Sequence, residues 1–126
     1  MANWTPEGML GKLFRILARY SPPATQVDLP VSWGDESVLR ERLETYATHL
    51  EINRRLVRFR SLSPSHLVDF MKANFGPAIL AFRHAPPEAH EALSKEMCDL
   101  IAGYNRSPNG TVLSESEYIE VVATRR

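Results

Sequence analysis

The chain has 126 residues, with 15 Lys and Arg against 15 Asp and Glu and a hydrophobic fraction of 44%. This length and composition predict a single domain, residues 1–126, with enough apolar side chains for one core. The balanced charge argues against nucleic acid or an anionic membrane surface as a partner, because no global field attracts them.

The cysteine count and the first residues of the chain indicate the cellular compartment of the protein. Cys98 is the single cysteine, which excludes an internal disulfide and fits a reducing compartment. Met1 to Leu10 lacks the basic start and apolar run of a secretory signal, and no apolar run is long enough to span a bilayer. The sequence therefore predicts a cytoplasmic protein without a membrane partner.

Two helices are predicted in the first third of the chain. Thr5-Pro6-Glu7 is typical of a helix start, because it combines a hydroxyl cap, a proline at the first helical position and an early carboxylate. Apolar residues then recur at helical spacing until Ser21-Pro22-Pro23. A proline-rich segment with many apolar side chains follows, and we expect it to cover another part of the molecule. Asp35 caps a second helix to about Tyr46.

Two long strands are predicted, one in the middle of the chain and one at its end. Residues 50–62 read LEINRRLVRFRSL and residues 114–125 read SESEYIEVVATR. Glutamates of the second strand can pair with arginines of the first, which explains the basic strand better than an acidic ligand does. The segment between the strands holds helices that start at Ser63-Pro64 and at Pro86-Pro87-Glu88. The predicted fold is α+β, with four or five helices packed on two antiparallel strands.

The edges of such a sheet predict a partner. Two strands alone form a marginal sheet, and a long unpaired edge recruits other strands. We therefore expect a second chain to complete the sheet, as a homodimer through strand edges or by exchanged elements.

The sequence contains no pattern of a complete active site, and we predict no catalytic residue and no metal site. The glycines never form GxG, and none is expected to follow a strand and open a helix as a dinucleotide site requires. The four histidines are scattered, without ligand spacing. Cys98 is better explained as a half-buried helix residue than as a nucleophile. Five aromatic residues either line an apolar pocket or pack in the core: Trp4, Tyr20, Trp33, Phe70 and Phe75.

Several short motifs, in their order and spacing, resemble a known family over essentially all 126 residues. Asn3 to Gly8 reads NWTPEG, Phe59 to Pro64 reads FRSLSP, Asn74 to Pro77 reads NFGP, and Ser116 to Val122 reads SEYIEVV. Together with Trp33-Gly34-Asp35, they resemble the second half of class I S-adenosylmethionine-dependent methyltransferases. The most similar group is the type 11 small-molecule enzymes related to those of quinone biosynthesis.

The resemblance implies a strand order. In that family the sixth and seventh strands are an antiparallel pair, and the seventh lies beside the fifth. Phe59 to Pro64 resembles the end of the sixth strand, Ser116 to Val122 the seventh, and Asn3-Trp4-Thr5 the end of the fifth at the border of the cleft. Residues 116–125 are then expected to have a bare edge, where a second copy or a separate chain with the glycine-rich half would bind.

The resemblance also implies what this chain lacks. The family holds its cofactor with a glycine-rich loop after the first strand and an acidic residue at the end of the second, and this chain has neither. No cofactor is expected for this chain alone, and S-adenosylmethionine only if a partner supplies the missing half. The part that remains shapes the acceptor pocket. The expected acceptor-binding residues are Asn3, Trp4, Tyr20, Trp33 and His66, the last as a candidate general base.

Three functional hypotheses follow. In the first, the chain is a methyltransferase-like protein that forms a dimer and is not catalytic alone. In the second, it is the acceptor-binding half of a split S-adenosylmethionine-dependent enzyme that acts on a small molecule. In the third, it is a module that binds a small apolar ligand or a protein.

Overall fold

The computed structural model of the chain describes residues 1–23 and 27–126. Residues 24–26, part of the predicted proline-rich segment, lie outside the described residues. The elements in chain order are β1 (Ala2–Trp4), α1 (Met9–Ala18), a first 3-10 helix (Pro30–Gly34), α2 (Glu36–Leu43), β2 (Ala47–Ser61), α3 (Pro64–Asn74), α4 (Gly76–His84), a second 3-10 helix (Pro87–Ala89), α5 (His90–Tyr104) and β3 (Val112–Arg125).

The described strands form one antiparallel sheet with the order β1-β3-β2. β2 pairs with β3 along its whole length, from Ala47 opposite Arg125 to Ser61 opposite Val112. β1 pairs with β3 from Ala2 opposite Glu120 to Trp4 opposite Tyr118. The predicted α+β class is confirmed. The predicted strand count is wrong, because the sheet has three strands; a strand of three residues shows too little alternation to be found in a sequence.

β1 also corrects the expectation of a bare edge along residues 116–125. The backbone N–H of Val121 donates a hydrogen bond to the carbonyl of Met1 at 2.7 Å, and that of Thr5 donates to the carbonyl of Glu117 at 3.1 Å. The first residues of the chain therefore occupy this edge of β3 from Glu117 to Val121.

Two helix starts agree with the predictions. The Asp35 side chain accepts hydrogen bonds from the N–H groups at the start of α2, and the Ser63 side chain accepts one at the start of α3, with Pro64 at the first helical position. The predicted cap at Thr5 is wrong, because its hydroxyl donates to the carbonyl of Glu117 at 3.3 Å. α1 begins only after Gly8, which provides no side-chain cap.

Helices pack against both faces of the sheet. The larger apolar cluster joins α1, α3, α4 and α5 to one face of the sheet through Val112 and Phe59. The smaller cluster places Leu39 of α2 against Ile119 and Val121 on the other face. Successive β3 side chains point to opposite faces, so a single strand contributes to both clusters.

The first 3-10 helix lies against β1, where Gly34 makes the closest approach. A Cβ atom added at Gly34 would lie 1.7 Å from the carbonyl oxygen of Trp4, which is backbone and has no alternative rotamer. On the same side, the Asn3 side-chain amide donates to the carbonyl of Pro30 at 2.8 Å. This part of the proline-rich segment therefore covers the outer side of β1.

The contact at Gly34 predicts a specific loss of stability. Gly34→Ala should lower the free energy of unfolding by about 1–3 kcal/mol, because the new methyl group must displace backbone. Gly103→Ala is the matched control, since nothing lies within 4 Å of a Cβ there, and alanine favours a helix. Urea unfolding of both variants measures the difference. Equal midpoints for Gly34→Ala and the unmodified chain would contradict the packing described for β1.

Candidate functional site

Trp4 stands at the end of β1, where the chain leaves the sheet for α1. Its ring lies 6.3 Å from that of Phe59 on β2 and 6.0 Å from that of Tyr118 on β3, measured between centroids. The next residue, Thr5, is buried and bonded to β3. Fixed backbone on both sides of the indole holds it at the surface of the sheet.

An almost entirely apolar cavity of about 200 Å³ lies on one side of the Trp4 indole. Phe70 of α3 forms part of its wall and is 58% exposed, although an aromatic ring of this size is usually covered. The lining residues are Trp4, Leu10, Phe59, Leu67, Phe70, Met71 and Phe75. The cavity is open to solvent and offers a ligand no charged group.

A second cavity, of about 290 Å³, also borders Trp4. It is lined by Ala2, Asn3, Trp4, Val57 and Tyr118. The Tyr118 hydroxyl donates to a carboxylate oxygen of Glu120 at 3.3 Å. Because both cavities are bounded by the same indole, we name them together the Trp4 groove. Each cavity alone is slightly smaller than most small-molecule sites.

The structure brings together two of the five predicted acceptor-binding residues. Asn3 and Trp4 are consecutive and both line the groove. Asn3 also has a structural role, since its side-chain oxygen accepts a hydrogen bond from the N–H of Trp4 at 2.9 Å. The Asn3 amide is therefore engaged by the backbone of Trp4 and Pro30 and is not free to bind a ligand.

The other three predicted residues do not line the groove. Tyr20 follows α1 and packs against the larger helical cluster. Trp33 is 38% exposed in the first 3-10 helix, with the Arg42 guanidinium 4.5 Å from its ring centroid. His66 is exposed near the start of α3.

His66 is nevertheless held in a defined position. Its backbone N–H donates to the Ser63 hydroxyl at 3.0 Å, and its Nδ1 lies 2.8 Å from the Ser61 hydroxyl. Ser61 ends β2, so the imidazole stands at the carboxyl end of that strand. With Nδ1 engaged, Nε2 is the ring nitrogen left to exchange a proton with a ligand.

Several lining residues were missed by the sequence analysis. Phe59, Val57 and Tyr118 meet Trp4 only because β2, β3 and β1 pair in one register. Apolar helix stripes contain the lining residues Met71, Leu10 and Leu67. Such a stripe has the same sequence pattern whether it borders a cavity or packs in a core. Phe70 and Phe75 are two of the five aromatic residues that the sequence assigns either to a pocket or to the core, and both line the groove.

The sequence predicts no glycine-rich phosphate-binding site, partly because no glycine is expected to follow a strand and open a helix. Gly8 contradicts that expectation, since it lies between β1 and α1. A Cβ added there would meet the backbone of Glu117 at 3.2 Å and the Thr5 hydroxyl at 3.1 Å. This glycine therefore allows α1 to pack against β3 and does not form an open cradle for phosphate.

The arginines of β2 pair with glutamates of β3, as the sequence predicts. Arg54, Arg55 and Arg58 lie 2.8, 2.9 and 3.0 Å from the carboxylates of Glu117, Glu120 and Glu115, in that order. The hydrogen bond from Arg58 is the main cause that lowers the pKa of Glu115 below its ordinary value. These pairs neutralise three of the four arginines of β2 within the chain.

The remaining chemically active groups of the described chain give no second site. Burial is the main cause that raises the pKa of the Cys98 thiol, so that less of it is thiolate at neutral pH. No cluster of three His, Cys, Asp or Glu among the described residues is arranged to hold a metal ion. No helix in residues 1–23 or 27–126 has both the length and the apolar character needed to cross a membrane.

Comparison with known proteins finds relatives in mycobacteria. The chain is 31% identical over 129 residues to the uncharacterized protein Rv1405c of Mycobacterium tuberculosis (strain ATCC 25618 / H37Rv), an alignment that covers 98% of this chain and 45% of that protein. It is 33% identical over 107 residues to the uncharacterized protein Rv1403c of the same strain, which covers 81% of this chain and 39% of the relative. The chain spans less than half the length of these relatives. No family model matches it.

The groove predicts binding of an uncharged aromatic probe. N-phenyl-1-naphthylamine should bind in a Trp33→Phe background, in which Trp4 is the one tryptophan left to transfer excitation to it. Phe70→Ala should weaken the affinity by about 5–30-fold, because roughly 1–2 kcal/mol of apolar contact is lost. Fluorescence titration measures both constants.

Leu80→Ala is the matched control for Phe70→Ala. Leu80 is an exposed apolar residue of a third cavity, of about 260 Å³, that Trp4 does not line. Its truncation should leave the probe affinity unchanged. Equal loss in both variants, or a loss in Leu80→Ala alone, would show that the probe does not occupy the Trp4 groove.

Proposed function

We propose that this chain is the acceptor-side half of a methyltransferase-like fold, without its own S-adenosylmethionine site, cytoplasmic, dimeric and not catalytic alone. The observation that carries the proposal is the strand order β1-β3-β2 with both pairs antiparallel. It corresponds to the fifth-seventh-sixth order that the sequence resemblance implies. The correspondence includes β1, a strand that the sequence pattern alone did not predict.

The Trp4 groove is the proposed acceptor site. It borders the carboxyl end of β1, where the resemblance expects the cleft, and its lining carries no charged side chain. An acceptor that fits it is a small, uncharged and largely apolar molecule. Methyl transfer depends chiefly on aligning donor and acceptor, so the groove needs few acid–base groups.

His66 remains the candidate base for an acceptor that must lose a proton. Its ring is oriented by Ser61 at the carboxyl end of β2, and β1 and β2 run parallel to each other because both are antiparallel to β3. Both strands therefore run in the same direction, although the β3 partners of Trp4 and Ser61, Tyr118 and Val112, are six positions apart. A histidine oriented in this way favours the acceptor-binding half of a split enzyme as the second candidate function.

The proposed absence of a cofactor site predicts that S-adenosylhomocysteine does not bind to this chain. S-adenosylhomocysteine added to the purified chain should give no binding heat, because no glycine-rich loop or ribose-binding carboxylate follows any of the described strands. Isothermal titration calorimetry measures it, with near-ultraviolet circular dichroism of the same sample as the control that shows the protein is folded. Micromolar binding of S-adenosylhomocysteine would overturn the claim that the chain lacks a site.

A chimera tests the methyltransferase resemblance itself. This chain replaces the stretch of Rv1405c that it matches, and the chimera and the unmodified relative are both titrated with S-adenosylhomocysteine. The proposal expects both to bind, since the rest of the relative would supply the cofactor half. A relative that does not bind, or one that binds while the folded chimera does not, would contradict the proposal.

A further inference from the structure

The two outer edges of the sheet differ in how well they are covered. Successive residues of a strand direct their backbone groups to opposite sides, so Ala2 and Trp4 direct theirs away from β3. The N–H of Trp4 is bonded to the Asn3 side chain, and its carbonyl is in close contact with Gly34. The β1 edge is therefore closed to a further strand.

The β2 edge is open. Met1 and Thr5 bond to Val121 and Glu117, so the odd-numbered residues of this part of β3 face β1 and the even-numbered residues face β2. The register then directs the odd-numbered residues of β2 towards β3, and the even-numbered residues outwards. No described residue outside β2 bonds to the outward backbone groups of Leu50, Ile52, Arg54 and Leu56.

Charge is the usual device that protects such an edge, and here most of it is paired within the chain. Arg54, Arg55 and Arg58 are paired with glutamates of β3 in the same chain. Leu56, between them, is 61% exposed on the same strand. A strand of 15 residues with three of its four arginines paired and an exposed leucine is a suitable edge for pairing with another strand.

We propose that β2 pairs with β2 of a second copy of this chain, antiparallel and about a two-fold axis at Asn53, to form a six-stranded sheet. This inference rests on the dimer of the proposed function and identifies its edge and register. A strand that pairs with itself is an isologous contact, which closes after two copies. The even-numbered residues from 50 to 56 would contribute about eight backbone hydrogen bonds.

The sequence of β2 favours the axis at Asn53 over neighbouring registers. An axis at Ile52 would place Glu51 opposite Asn53 and would form no ion pair. An axis at Arg54 or at Arg55 would place that arginine opposite its own copy, and an axis at Leu56 would place Arg54 opposite Arg58. Like charges directly opposite each other destabilise a sheet.

The axis at Asn53 avoids these contacts and creates favourable ones. It places Leu50 opposite Leu56 of the partner and Glu51 opposite Arg55 of the partner, each twice. Glu51 is exposed and has no ion pair among the described residues of its own chain; its contact there is the Asn53 amide at 2.8 Å.

Cysteine cross-linking tests the register directly. In a Cys98→Ser background, Asn53→Cys places two thiols opposite each other in a pair whose Cα atoms lie about 4.5 Å apart, close enough for a disulfide. His49→Cys is the matched control, because its two copies would be eight residues, or about 27 Å, apart along the strands. Both positions are exposed on β2. Mild oxidation followed by non-reducing electrophoresis should give a covalent dimer with Asn53→Cys alone.

Sedimentation velocity supplies the second measurement. The unmodified chain should sediment as a dimer at micromolar concentration, and Glu51→Arg, which faces Arg55 of the partner, should shift it to monomer. A monomeric unmodified chain, or equal cross-linking at both positions, would overturn the proposal. These results are independent of the S-adenosylhomocysteine titration, which can succeed or fail without them.

Discussion

The architecture depends on β3 having both of its edges occupied within the chain. Along one edge it pairs with the whole of β2, and along the other it bonds to Met1 through Thr5. Its faces are used as well, since Val112 and Ile119 belong to different apolar clusters. The backbone N–H at the start of α1 is also tied to it, by a hydrogen bond from Leu10 to the buried Ser116 hydroxyl at 3.0 Å. The first and last segments of the sequence thus stabilise each other.

Local sequence signals predicted the features that depend on neighbouring residues. The caps at Asp35 and Ser63 and the α+β class follow from such signals. β1 was not predicted because three residues are too few to show the alternation of a strand. The strand forms only by pairing with residues more than a hundred positions away. Thr5 was read as a helix cap for the same reason. Its hydroxyl could accept a hydrogen bond from a helix N–H or donate one to a carbonyl, and in the fold it donates to the carbonyl of Glu117.

The candidate site could be predicted only in part. Trp4 and Asn3 were identified through a motif, and both line the groove. The residues that complete the walls, such as Phe59 and Tyr118, become neighbours of Trp4 through strand register. Tyr20 and Trp33 share the aromatic character of the site but pack elsewhere. Composition identifies residue types suited to a pocket, whereas the pairing of distant strands decides which of them meet.

Amide hydrogen exchange, followed residue by residue by NMR, tests the central role of β3 most directly. The amides of Thr5 and Val121, which are bonded across the β1–β3 pair, should exchange slowly. Ala123 lies on the same edge of β3, two residues beyond Val121 and past its hydrogen bond to Met1. The amide of Ala123 should therefore exchange much faster. Equally fast exchange at Thr5, Val121 and Ala123 would contradict the account, because β1 would then not complete the sheet.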